Sequence, residues 1–222
     1  MNTLFFITSC IKPKMGIFTP QERFDQTLET IRSIREKVPG AVVVLSDSSY
    51  EELGDWATEL ISKVDLFFYF SELRSLSFNN QKSKGEAALT YYTFRTLKEN
   101  NFQWNTIDRI FKITGRLQLD DGFDISQYEN LNGKYVFKKR NETWMNPPIM
   151  GATHNLDTRM YSFTPDMIGL HLNMIATSFD STLTHLDLEH AFFVGIDKER
   201  LVEFDRVYCK GQVASTGEWK YD

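Results

Sequence analysis

The sequence predicts an α/β protein whose first half is a Rossmann-type βαβαβ unit on a mostly parallel, mixed sheet. Three observations predict it. Short apolar runs ("TLFFITSC" and "AVVVLSDSS") have the length of buried strands, and "DLFFYF" reads as a third strand. Stretches with apolar residues three or four apart separate them, as in amphipathic helices. Capping and breaking signals stand at the junctions.

The first strand covers residues 3–10, and a loop with Pro13 and Gly16 follows. Thr19 then serves as N-cap, Pro20 takes the first helical position, and Glu22 closes a capping box. Phe24, Leu28, Ile31, Ile34 and Val38 form one stripe, which Pro39-Gly40 ends. The second strand covers 41–49. Ser49 and Glu52 make a second capping box, with a stripe through Leu53, Trp56, Leu60, Ile61 and Val64. The third strand is 65–70. A polar loop leads to a third helix over about 86–100, and "RIFKITGRLQL" (109–119) reads as the fourth strand.

The second half is less regular. "KYVFKK" and "TRMYSF" read as strands, "TPDMIGLHLNMI" and "THLDLEHAFFVGI" as helices, and "LVEFDRVYCKGQVAST" as a closing strand or hairpin. There is no linker, repeat or low-complexity segment. The expectation is a single domain over 1–222, with a nucleotide-binding half to about 118 and a smaller acceptor half from 119 on the same sheet.

Bulk composition narrows the function classes. The 222 residues are 41% hydrophobic and 14% aromatic, enough for a sizeable core and against disorder. Net charge is −5 and the longest basic run is "KKR" (138–140), which argues against nucleic-acid binding. Two cysteines, Cys10 and Cys209, suit a reducing compartment, so the protein is expected to be cytoplasmic. "NETW" is a glycosylation acceptor only in a secretory one. "ITSC" looks like a lipoprotein box, but the apolar run before it is too short. No run reaches the ~20 apolar residues of a membrane helix, so membrane contact would be peripheral.

Familiar phosphate and hydrolase signatures are missing: GxxxxGK[ST], GxGxxG and GxSxG do not occur. His185 and Glu189 can share a helix face, but two ligands do not make a metal site. The informative stretch is "RIFKITGRLQLDDGFD". Strand alternation puts Phe111, Ile113 and Leu117 on one face and Lys112, Thr114 and Arg116 on the other. Two cations near a C-terminal strand end can hold a diphosphate. Gly115 would let a ligand approach closely. The alternative is that the cations pair with acids of a covering helix.

"TLFFITSCI", the segment from Arg23 to Ser49, "KSKGEAALTYYTFRTL", "FKITGRLQL" and "LEHAF" together resemble nucleotide-sugar glycosyltransferases of the GT-A fold. The type is that of small bacterial and viral members with a K-x-T/S-G-R strand. The resemblance covers most of the chain and rests on the order and spacing of short motifs. It implies that Thr8, Ser9 and Cys10 contact the base and ribose, that Arg23 reaches a phosphate, and that Asp47 and Ser48 contact the nucleoside. It also implies that Lys84 and Gly85, ahead of the third helix, lie by a phosphate at its N-terminus. Each has a plainer reading: Asp47 and Ser48 cap the second helix, Lys84 is solvated, and Arg23 pairs with a Glu of its own helix.

Most GT-A enzymes carry a DxD that binds Mn²⁺ or Mg²⁺; here that place reads T-G-R. Either Lys112 and Arg116 replace the metal, which is the reading preferred, or Asp120 or Asp121 of "DDGFD" holds it. A Gly turn with capping acids, Asp124 included, is the third reading. Leu186, Glu189 and Phe193 share a helical stripe, where burial would raise the Glu189 pKa toward that of a general base. The resemblance implies the same role for Glu189 at the acceptor hydroxyl, with His190 and Asp187 as further catalytic candidates.

The expected activity is transfer of a sugar from a nucleoside-diphosphate donor to a glycan or lipid-linked acceptor. Two alternatives stand beside it. One is a non-catalytic sugar-nucleotide or glycan-binding module. The other is a nucleotidyltransferase, for which "CIKPKMG" supplies lysines but one Gly.

Overall fold

A computed structural model describes residues 1–14, 16–73, 82–145, 148–179, 186–214 and 216–222, with the backbone alone at 82, 83 and 179. His185, weighed above as a metal ligand, lies outside the described residues. The first half runs β1 (Thr3–Ser9), α1 (Pro20–Lys37), β2 (Val42–Asp47), α2 (Asp55–Ile61), β3 (Leu66–Tyr69), α3 (Lys82–Glu99), β4 (Arg109–Thr114) and β5 (Leu117–Leu119). The second half adds β6 (Tyr135–Lys138), β7 (Asn141–Glu142), β8 (His154–Asn155), β9 (Met160–Phe163), α4 (Ile168–Phe179) and α5 (Leu188–Gly195). It closes with β10 (Leu201–Phe204), β11 (Cys209–Gln212) and β12 (Trp219–Tyr221).

Seven strands form the main sheet in the order β10-β6-β9-β4-β1-β2-β3. All run parallel except β9, which is antiparallel to both neighbours. The sheet thus draws strands from both halves of the chain. β5, β11 and β12 make a small antiparallel sheet, and β7 pairs with β8.

Continuous apolar strands follow from helices on both faces. Phe5, Ile7, Phe111 and Ile113 turn toward Phe24, Ile31 and Ile34 of α1 and Leu60 of α2. Leu4, Phe6 and Ile110 turn toward Phe94 and Leu97 of α3, Ile175 of α4 and Phe192 of α5. Burying each such side chain contributes about 1.5–3 kcal/mol. α1 starts as its sequence dictates: Glu22 N donates to Thr19 Oγ1 (3.2 Å) and Thr19 N donates to the Glu22 carboxylate (2.7 Å). Among the described residues no helix is long and apolar enough to cross a membrane.

Four expectations are corrected. Ser49 does not cap α2: its hydroxyl accepts from Lys12 N (2.9 Å), and the helix starts after Gly54, at φ +59°. α3 begins at Lys82, so Lys84 and Gly85 lie inside its first turns rather than before it. Strand 109–119 breaks at Gly115-Arg116, and β5 leaves for the small sheet. β10 and β11 do not pair as a hairpin, because β10 pairs with β6 and β11 with β5.

Candidate functional site

The C-terminal ends of β1, β2 and β4 meet the first turns of α1. Ser9 stands beside Asp47 and Thr8 beside Thr114 in the sheet register. Beyond them Ser48 N donates to Ser9 O (3.1 Å) and Gly115 N to Thr8 O (2.8 Å).

Several residues expected to touch a nucleotide are committed to the fold instead. Asp47 is fully buried; its carboxylate accepts from Ile11 N (3.0 Å) and Ser49 N (2.7 Å), and burial pushes its pKa up. It ties two loops together rather than facing a ligand, and it does not cap α2. Thr8 and Ser48 are buried, and the Ser9 hydroxyl pairs with that of Thr27 (3.2 Å). Burial and Asp47 push the Cys10 thiol up to about 12, so it is no thiolate at neutral pH. Gly115 serves close packing, not ligand approach: a Cβ there would stand 3.0 Å from Thr27 Oγ1 and 3.4 Å from Ser9 Cβ.

The two cations of "KITGR" part company. Lys112 is fully buried on the α3 face, where its ammonium pairs with Glu86 and donates to the Thr158 carbonyl (2.7 Å). It is a core ion pair with a covering helix, so its charge is already neutralised. Arg116 sits past the strand end. Among the described residues no carboxylate pairs with it, and its Nε is buried without a hydrogen bond. Burial lowers its pKa against the opposing charge of Glu86. The buried Thr114 hydroxyl also has no partner.

Arg23 lies close by. Its Nε and Nη2 donate to the Cys10 carbonyl (3.2 and 3.1 Å) and not to a Glu of its own helix. Burial, then the like charge of Arg116, pulls its pKa down to about 10. Two guanidinium groups thus stand together, with no carboxylate ion pair to either among the described residues. Lys84 is half-buried in the first turn of α3.

α5 supplies Glu189. It is half-buried, and burial raises its pKa to about 7, with Asp157, Asp187 and Glu86 adding to the rise and Arg159 opposing it. The upward shift expected from its helical stripe is therefore present. Arg159 is held between Asp157 (Nε–Oδ1 3.0 Å) and Asp222 (2.6 Å).

His190 and Asp187 take other roles than the catalytic ones expected. His190 is fully buried with both ring nitrogens engaged, Nδ1 with Asp187 Oδ1 (2.6 Å) and Nε2 with Thr143 Oγ1 (2.8 Å). Asp187 also caps α5 through His190 N (2.9 Å).

Asp120 and Asp121 are remote from this site. Asp121 pairs with Lys37 in the last turn of α1 (2.6 Å), which is about 21 Å of helix rise beyond Arg23. Asp120 accepts from Gly122 N (2.8 Å) and pairs with Arg206 (3.2 Å); Asp124 accepts from Ser126 N (2.9 Å). "DDGFD" is a Gly turn with capping acids. Among the described residues no three His, Cys, Asp or Glu stand together so as to hold a metal ion.

Sequence reasoning missed Glu86, Asp157, Arg159 and Gly211. The acid–base pair of "LDTRMY", two residues apart before a strand, was a usable signal for the second and third. A lone Gly inside a strand pattern was the signal for Gly211. A Cβ there would stand 2.2 Å from the Arg116 carbonyl oxygen.

No protein-family model and no curated protein matches the sequence. Solved structures do match the fold. The mannosyltransferase Ktr4p from S. cerevisiae is 9% identical with a TM-score of 0.57, over 92% of this chain and 69% of its own. A glycosyltransferase involved in the glycosylation of the major capsid of PBCV-1 is 8% identical with a TM-score of 0.50, over 92% and 82%. Core-mannan synthase A from Aspergillus fumigatus, in its Mn/GDP form, is 9% identical with a TM-score of 0.50, over 92% and 73%. The chain has the fold of GT-A-type glycosyltransferases.

Proposed function

We propose that this protein is a glycosyltransferase that moves a sugar from a nucleoside-diphosphate donor to a hydroxyl of a glycan or lipid-linked acceptor, in the cytoplasm. The observation that carries the reading is the end of β4. There the Arg116 Nε and the Thr114 hydroxyl are buried without partners, beside a second guanidinium, Arg23. An orphaned buried polar group costs about 1–3 kcal/mol, which a ligand can recover. A planar guanidinium fork matches two diphosphate oxygens, and it would stabilise the charge that develops on the leaving nucleoside diphosphate. Glu189, with its pKa near 7, suits a group that takes the proton of the acceptor hydroxyl.

Asp120 and Asp121 do not fit a divalent cation at this site, since both are tied to cations elsewhere. In this reading the diphosphate charge is met by Arg116 and Arg23. The nucleotidyltransferase reading finds its lysines engaged elsewhere: Lys12 donates to the Glu52 carbonyl and stands over Trp56, and Lys14 stands over Tyr50.

Thermal shift with UDP, GDP, CDP and their sugars, each with EDTA or with Mn²⁺, tests the proposal. One nucleotide near 100 times its dissociation constant should stabilise the protein by about 2.7 kcal/mol, in EDTA as well as in Mn²⁺. Arg116→Ala should remove that gain. No stabilisation by any of them would refute the reading. A full gain in Arg116→Ala would take the diphosphate away from Arg116.

A further inference from the structure

We propose that Trp144 is a platform for a pyranose ring of the acceptor, and that Thr143, His190 and Asp187 hold it in place. This rests on the glycosyltransferase reading and names the acceptor at that site as a carbohydrate.

Trp144 is 73% exposed, more than any other large apolar side chain among the described residues. Its backbone is nonetheless tied on both sides. Thr143 N donates to Thr153 O (3.0 Å), and Met145 N donates to Thr143 Oγ1 (3.0 Å). The Met145 side chain is buried with Ala152, Leu186 and Ala191. Because the Asp187 carboxylate only accepts, His190 Nδ1–H donates to it, and Nε2 of the neutral imidazole accepts from the Thr143 hydroxyl, whose oxygen accepts from Met145 N. A buried imidazole thus links the cap of α5 to the residue before the indole. The indole meets the His190 ring edge-to-face at 5.7 Å and 82°.

The location argues for the occupant. Glu189 is the residue before His190 on α5, and Leu156 N, just past β8, donates to the Glu189 carbonyl (3.1 Å). The β7–β8 ribbon that bears Trp144 is thereby joined to the turn that bears the proposed base. An acceptor hydroxyl within reach of Glu189 leaves the rest of the acceptor over this surface. An aromatic face carries negative quadrupole charge, which attracts the polarised C–H bonds of a sugar ring. Such a platform must be rigid to orient one hydroxyl, and the Asp187–His190–Thr143 chain supplies that rigidity.

The test uses protein labelled with ¹⁵N at its four tryptophans, whose indole N–H signals are resolved by NMR. The signal lost in Trp144→Phe is that of Trp144. Methyl glycosides of glucose, galactose and mannose, with maltose and lactose, are titrated in turn. At least one should shift the Trp144 signal saturably while the other three signals stay still. Thr143→Val should weaken that saccharide about tenfold, a change in affinity alone, and Thr143→Ser should restore it. The thermal shift with nucleoside diphosphate should be unchanged in both. If no saccharide moves the Trp144 signal while a nucleoside diphosphate still stabilises the protein, the platform is overturned and the donor site stands. If a saccharide moves it and no nucleotide binds, the donor reading falls and the platform stands. Full saccharide affinity in Thr143→Val would overturn the positioning role.

Discussion

Replacing Lys112 by Met separates a cation that holds the core from one that holds a ligand. The ammonium is fully buried, Glu86 retains 24% exposure, and the Thr158 carbonyl accepts from the same nitrogen. Removing one member of a buried pair costs about 3–5 kcal/mol, because the other is left charged and unpaired. Partial exposure lets Glu86 regain some water, which puts the cost near the lower end, about 3 kcal/mol, the lost Thr158 bond included. For a chain of this length that lowers Tm by about 6–12 °C. Urea unfolding followed by circular dichroism measures the loss, and calorimetry with the stabilising nucleoside diphosphate measures binding. The double variant Lys112→Met/Glu86→Gln should recover most of the stability, since both charges are gone. Nucleotide affinity at a temperature where the variant is folded should be nearly that of the parent. A stability loss under about 1 kcal/mol combined with lost nucleotide affinity would refute the reasoning and return Lys112 to the diphosphate.

Two further predictions concern the site itself. The folded pKa of Glu189, about 7, lies above the ordinary 4.5. Between these values the folded chain binds more protons, so this group's contribution to stability falls as pH rises through that window and then levels off. Glu189→Gln should remove that slope, worth at most roughly 3 kcal/mol, and should abolish the rise in turnover through about pH 7 while sparing nucleotide binding. An equal stability difference at acid and alkaline pH would show that burial does not hold Glu189 protonated. Gly211→Ala would bring a Cβ to 2.2 Å from the Arg116 carbonyl oxygen and 2.7 Å from Leu117 Cδ2. The backbone must shift, at a cost of about 1–3 kcal/mol, and the displaced Arg116 should lose nucleotide affinity by about tenfold or more. Unchanged affinity in calorimetry would remove Arg116 from the site.

Local signals carried far along this chain. The capping box at Thr19 and Glu22, the apolar period of α1 and the doubly buried strands are properties of neighbouring residues, and all appear as expected. The misplaced start of α2 shows the limit. Ser49 and Glu52 have the right spacing, but Lys12, 37 positions away in sequence, takes the Ser49 hydroxyl. A long-range partner outbids a local motif whenever it can be buried with it.

The site divides in the same way. Sequence alone determined that a strand carrying Lys112 and Thr114 would stand in a mostly parallel sheet and that Glu189 would lie on an apolar stripe. Those facts follow from alternation and helical period. Only the tertiary structure decided which cation is free. Lys112 meets Glu86 because α3 crosses that face of the sheet, while the chain turns at Gly115 and carries Arg116 away to Arg23 and an unfilled hydrogen bond. It likewise sent Asp120 and Asp121 to the far end of α1 and sealed His190 beneath Thr143. The physical reason is that a charge's role depends on which opposite charge and how much water packing leaves beside it, and neither is written in its neighbours along the chain.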